Sequence, residues 1–168
     1  NKLTFAQALK EAQEKGYAEA DPGFDIDGVD ASHKLSILSG LSFGGLPDVH
    51  AIQVRGIRNI TALDIQFARE LGYRIKLLAI ARRTSQGVEQ SVEPCLVPQQ
   101  SPVAAVEGPL NAVYIDGNYS GKVLFVGAGA GGKATASAVV SDIVDIARGR
   151  SLPLMGVNVE SLESLKPA

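Results

Sequence analysis

Two strand-like runs, residues 73–83 and 88–97, constrain the fold of this chain more than any other feature. The first, YRIKLLAIARR, is rich in Ile and Leu. The second alternates, with Val88, Gln90 and Val92 set against Glu89, Ser91 and Glu93. Successive strand side chains point to opposite faces, so this pattern predicts one covered face and one wetter face. Gln86-Gly87 between the runs is a hairpin turn signal, and the pair predicts a long antiparallel hairpin. Pro94 has no N–H to give a ladder and is expected at a kink or a sheet edge. Further strands are predicted over residues 111–115 and 122–126, with Asp116-Gly117 as a turn, and a short one over 51–54.

Helical patterns flank these strands. Thr4-Phe5-Ala6-Gln7 has the form of a capping box, in which side chains satisfy free backbone donors of the first turn. Phe5, Leu9 and Ala12 then supply a stripe expected to be buried, and Gly16 is a natural stop. A second helix is predicted over residues 29–41. A third, capped by Thr61, runs over 62–71 with Leu63, Ile65, Phe67, Ala68 and Leu71 as its apolar face. A fourth is predicted over 134–148. Helices segregated from hairpin-linked strands imply an α+β fold, a mostly antiparallel sheet with helices packed on one face. The apolar strands leave the other face available for dimerisation.

At 168 residues the chain is one domain by length and large enough to bury a core. Its net charge of −2 with scattered cations points to neither nucleic acid nor an anionic membrane surface. The single cysteine, Cys95, excludes an internal disulfide and fits a reducing cytoplasm. It lies in an apolar run far in sequence from His33 and His50, which favours a buried structural thiol over a nucleophile. No apolar run reaches membrane-spanning length and no signal peptide is visible. The abrupt start at Asn1, directly before a helix, suggests a piece of a longer protein.

Residues 16–34, GYAEADPGFDIDGVDASHK, hold Glu19, Asp21, Asp25, Asp27 and Asp30 and then one cation, Lys34. Gly16, Pro22, Gly23 and Gly28 break the stretch into turns before the helix starts. Asp30 and Lys34 stand four apart and share one helix face. A solvated acidic loop with an ordinary surface ion pair is one reading. The other is a binding or catalytic site built on these same residues. His33 reads as a helix-face residue, and no cluster has metal-ligand spacing.

Gly127-x-Gly129-x-x-Gly132 follows a strand and precedes a helix, as in a dinucleotide fingerprint. Only about twenty residues remain after that helix, too few to complete a mononucleotide-binding half. The glycines are left with three readings: a flexible turn, a helix N-terminus that approaches an anion through bare backbone donors, or a Rossmann turn.

Several of these segments together resemble homoserine dehydrogenase. The acidic stretch, LGYRIKL at residues 71–77, Val92-x-Pro94, Asn111-Ala112-Val113 and GAGAGGKATASAVVSD at residues 127–142 fall in that family's order. The resemblance covers roughly residues 3–150, leaving 151–168 as a tail or linker. It implies the catalytic and dimerisation domain of an enzyme interconverting L-aspartate 4-semialdehyde and L-homoserine with NADP or NAD, in threonine and methionine synthesis. It implies Glu19 as the homoserine-binding carboxylate, Lys34 as proton donor, Asp30 beside it, Tyr17 and Asp25 near the substrate, and Gly131 as a cofactor contact. In this family a Rossmann domain upstream binds most of the cofactor and supplies a second lysine. The isolated chain is therefore expected to be inactive, a cytoplasmic homodimer part with a small-molecule substrate and no nucleic-acid or membrane partner. A non-catalytic amino-acid-binding or oligomerisation domain of the same fold is the alternative. Aspartate-semialdehyde dehydrogenase would need a nucleophilic cysteine, a role for which Cys95 is poorly placed.

Overall fold

The computed structural model describes residues 3–14, 21–108, 110–129, 131–150, 153 and 155–168. Its centre is the expected hairpin. Strand β2 (Tyr73–Arg83) and strand β3 (Val88–Pro98) pair antiparallel from Tyr73 opposite Pro98 to Arg83 opposite Val88. The Thr84 hydroxyl closes the turn by accepting from the N–H groups of Gln86 and Gly87, at 3.1 and 3.2 Å. Strand β1 (Gln53–Val54) lies parallel on the far side of β3, so the sheet order is β1-β3-β2.

Pro94 therefore stands in the central strand and not on an outer one. The backbone explains why it is tolerated. The carbonyl of Val92 accepts from the N–H of Arg55 at 2.7 Å, so even-numbered residues of β3 turn their polar groups toward β1. Two residues on, Pro94 faces the same side beyond the end of β1, where no ladder donor is required.

The remaining strands, β4 (Leu110–Gly117) and β5 (Gly121–Ala128), form a separate two-stranded antiparallel sheet. Asp116 and Gly117 belong to the ladder, and the turn falls on residues 118–120 because Gly117 pairs with Gly121. The fold is α+β, with mostly antiparallel pairing in two sheets.

Among the described residues five α-helices accompany the strands: α1 (Phe5–Glu14), α2 (Gly23–Ile26), α3 (Val29–Phe43), α4 (Ala62–Glu70) and α5 (Gly132–Ala147). The Thr4 capping box forms, with Gln7 Oε1 accepting from the Thr4 N–H at 2.9 Å and Thr4 Oγ1 from the Gln7 N–H at 3.3 Å. Thr61 and Asp64 cap α4 reciprocally in the same way. The core lies between α3 and one face of the hairpin. Leu35, Ile52 and Val92 are buried together, with Ala31, Leu77 and Ala81 packed around them. Val92, Leu77 and Ala81 share one sheet face by register. Ser32 and Ser36 are buried on α3 at little cost, because their hydroxyls donate to the carbonyls of Val29 and His33.

Two expected stripes form without being covered. Phe5 on α1 is 41% exposed, and α1 has no buried residue. On α4 only Ala68 is buried, while Leu63, Ile65, Phe67 and Leu71 are exposed. Ala68 is the small residue that lets α4 approach the sheet. Leu63, Phe67 and Leu71 recur every four residues beside Ala68. The expected helix stop at Gly16 lies outside the described residues.

After α5 the chain returns to the body. Leu46 bridges Ser164 and Val88 bridges Pro167, both in parallel. The N–H groups of Leu46 and Val88 donate to the carbonyls of Glu163 and Lys166 at 2.9 and 2.8 Å. Among the described residues no helix is long and apolar enough to cross a membrane.

Candidate active site

The acidic stretch folds into two short steps and then a long helix. Residues Gly23–Ile26 make the single turn α2, where a plain loop was expected. Asp21 prepares it by accepting from the N–H of Gly23 at 3.1 Å, an Asx-type turn. Gly28 follows with φ of +81°, and this left-handed residue lets the chain re-enter helix at Val29.

Asp30 and Lys34 meet as the spacing predicts. Lys34 Nζ donates to Asp30 Oδ2 at 2.5 Å on the first two turns of α3. Their side chains are 38% and 61% exposed respectively, so the pair lies open at the surface of this chain. Asp25 sits on α2, exposed, with its carbonyl accepting from the Gly28 N–H at 3.2 Å. His33, one residue before Lys34, is exposed and meets the Phe24 ring edge-on, with centroids 5.5 Å apart. Tyr17 and Glu19 lie outside the described residues.

Sequence reasoning did not find a second ion pair in this region. Arg58 Nε and Nη2 donate to Asp27 Oδ1 and Oδ2 at 2.5 and 2.8 Å, a two-pronged contact. The hydrogen bond from Arg58 holds the Asp27 carboxyl below its ordinary value, against a smaller opposing effect of burial. In return Asp27, with help from Asp21, raises the guanidinium. Asp27 was visible in the acidic stretch, but its partner lies 31 residues away with no local spacing to betray it.

Gly131 is the N-cap of α5, at φ of +112° and ψ of 148°, a conformation that suits glycine. No side chain caps this helix start, and nothing stands within 4 Å of a Cβ built on Gly131 or Gly132. The first-turn N–H groups have no capping side chain among the described residues, which fits the approach of an anionic group. The Rossmann reading of the glycines does not hold. Strand β5 pairs antiparallel with β4, whereas a dinucleotide half needs parallel strands joined by a helix.

Cys95 is half-buried, and its thiol is pushed up by burial and then by the nearby Glu93 carboxylate. That leaves it protonated and weakly nucleophilic, as a structural thiol would be. Opposite it in register, Lys76 is pushed down by burial and by Arg74, and its Nζ donates to the carbonyl of Val106 at 2.5 Å. Among the described residues no three His, Cys, Asp or Glu side chains gather where they could hold a metal ion.

Comparison with known proteins gives a consistent picture. The family model described as homoserine dehydrogenase matches residues 1–144. A homoserine dehydrogenase of Neisseria gonorrhoeae is 52% identical over 144 residues, covering 86% of this chain and 33% of that protein. The crystal structure of a homoserine dehydrogenase from Thiobacillus denitrificans superposes with a TM-score of 0.91 at 44% identity, over 100% of this chain and 40% of that one. A hyperthermophilic archaeal homoserine dehydrogenase mutant, solved in complex with NADPH, matches 88% of this chain and 41% of its own at 33% identity and a TM-score of 0.67. The chain thus spans between a third and two-fifths of the length of these relatives.

Proposed function

This chain belongs to the homoserine dehydrogenase family, and from that premise we propose that it is the substrate-binding and catalytic part of an enzyme that interconverts L-aspartate 4-semialdehyde and L-homoserine. The observation that carries the proposal is the 2.5 Å contact between Lys34 and Asp30 at the start of α3, directly after the acidic segment. The nicotinamide of NADP or NAD supplies or accepts the hydride when bound.

The chain's own residues have three tasks. Lys34 hands a proton to the aldehyde oxygen as it becomes a hydroxyl, and takes one back in the reverse direction. Asp30 fixes where the ammonium of Lys34 points, since their hydrogen bond holds one rotamer of a long, flexible side chain. Glu19 grips the substrate's α-ammonium, with Tyr17 and Asp25 beside it. Lys34 is 61% exposed in this chain, so its enclosure during reaction comes from bound substrate and from surfaces outside the described residues. Gly131 presents bare backbone to the cofactor at the N-terminus of α5. The bulk of the dinucleotide is held by another part of the full-length protein, because the described residues contain no parallel nucleotide-binding unit.

The sheet face opposite α3 carries Leu78, Ile80 and Cys95 and takes a second copy, making a homodimer. The isolated chain is inactive. The reaction serves threonine and methionine synthesis in the cytoplasm.

The test is NADP-linked oxidation of L-homoserine by the full-length protein, wild type against Lys34→Ala. Activity in the wild type with a loss of about a hundredfold or more in the variant supports the reading. An unimpaired variant removes Lys34 as proton donor. A folded wild-type protein without activity overturns the enzyme reading in favour of an amino-acid-binding domain.

A further inference from the structure

Resting on that reading of the site, we propose that Arg58 is a positioning residue for it. Through Asp27 it fixes the turn that carries Asp25 and the start of the helix that carries Asp30 and Lys34. Asp27 sits between the two, one residue after α2 and two before α3. Arg58 reaches both of its carboxylate oxygens. Gly23 lies at the same junction: a Cβ there would meet Asp21 Oδ1 at 3.2 Å and Arg58 Nη2 at 3.4 Å. The guanidinium thus lies beside Gly23 as well as on Asp27, at the two ends of α2.

The clamp is anchored in the sheet. Arg55 donates its N–H to Val92, the fully buried residue of the central strand. Two residues on, Ile57 donates to the carbonyl of Ile26 at 2.9 Å, and Arg58 then takes Asp27. A continuous path of contacts runs from the core of the sheet to the first turn of α3. A planar fork that binds two oxygens resists rotation of the carboxylate in a way that a lysine ammonium, a point charge, does not.

Magnitudes separate this role from a merely structural one. Both side chains are about half exposed, at 56% and 44%, and exposed ion pairs contribute little to global stability. A displacement of about 1 Å in a catalytic group, by contrast, can cost about a hundredfold in rate. Loss of the clamp therefore falls on the site and not on the fold.

The experiment compares wild type, Arg58→Ala, Asp27→Asn and the double variant in the full-length protein. For the Arg58→Ala variant, kcat/KM for L-homoserine falls about tenfold or more, KM for NADP stays within about twofold, and the unfolding midpoint moves by no more than about 2 °C. The double variant is no worse than the weaker single one, as expected of two residues acting as a unit. Homoserine turnover within twofold of wild type overturns the proposal. So does a loss matched by an equal rise in KM for NADP and a lowered unfolding midpoint, which marks general loosening. A wild-type protein that fails to oxidise homoserine overturns the reading of the site and this role with it, and that control is read before any variant.

Discussion

Val92 fills the place that a side chain on Gly28 would take. A Cβ built on Gly28 would come within 3.0 Å of Val92 Cγ1 and 3.2 Å of Val54 Cγ1, at a residue whose φ is already +81°. The helix that carries Asp30 and Lys34 therefore starts from a point pressed against the buried centre of the sheet. Any side chain here pays twice, once for left-handed backbone and once for overpacking. Gly28→Ala is expected to lose about 2–5 kcal/mol in urea unfolding, the sum of those two terms. An unchanged midpoint would show that the contact relaxes freely.

Thr61 offers a milder and more local test. Its side chain accepts from the N–H of Asp64 at 3.2 Å while Asp64 accepts from the N–H of Thr61 at 2.8 Å. Thr61→Ala is expected to destabilise by about 1 kcal/mol, whereas Thr61→Ser keeps most of the cap. Equal losses for both would point to the threonine methyl and not the hydroxyl.

Acid should reveal the Asp27–Arg58 pair. The folded value of Asp27 lies below its ordinary 3.8, chiefly through the hydrogen bond from Arg58. The stabilisation it brings is whole above that ordinary value and disappears as pH falls through the lower folded one. The difference in stability between wild type and Asp27→Asn should be small, greatest near neutral pH and lost as pH falls through the lowered value, with the gap shrinking in added salt. A gap that widens in acid would contradict the direction of the shift.

Cys95 should be slow to react and dispensable. Burial and Glu93 raise its thiol, so less thiolate is present at a given pH than in a free cysteine. Iodoacetamide at about pH 8 should modify it more slowly than it modifies glutathione. Cys95→Ala in the full-length protein should keep homoserine oxidation within about twofold, whereas a nucleophile would lose several orders of magnitude.

How much of this was legible in the sequence depended on distance along the chain. The β2–β3 hairpin was readable because its alternation and its turn are neighbours in sequence, and its register follows from them. Lys34 and Asp30 were readable for the same reason, four residues apart on one helix. Arg58 and Asp27 were not, because only the folded sheet brings positions 31 residues apart together. Pro94 was misplaced for a related reason: its local signal says that a donor is missing, but which strand ends short of it is a tertiary fact. The stripes of α1 and α4 were correctly seen as apolar. Periodicity tells which residues share a face, though, and not whether anything covers it. The turn α2, only four residues long, carries too few positions for any period to show.

The return of the chain after α5 changes where this domain may be cut. Residues near Glu163 and Lys166 accept the N–H groups of Leu46 and Val88, which lie just past the end of α3 and at the first residue of β3. Met155 also lies against Gly40, within the last turn of α3. A protein shortened to residue 150 would keep every described strand and α-helix and still lose a seam joining the helix of the site to the central strand. That stitch lies beyond α5, the last regular element a reader of the sequence would trust.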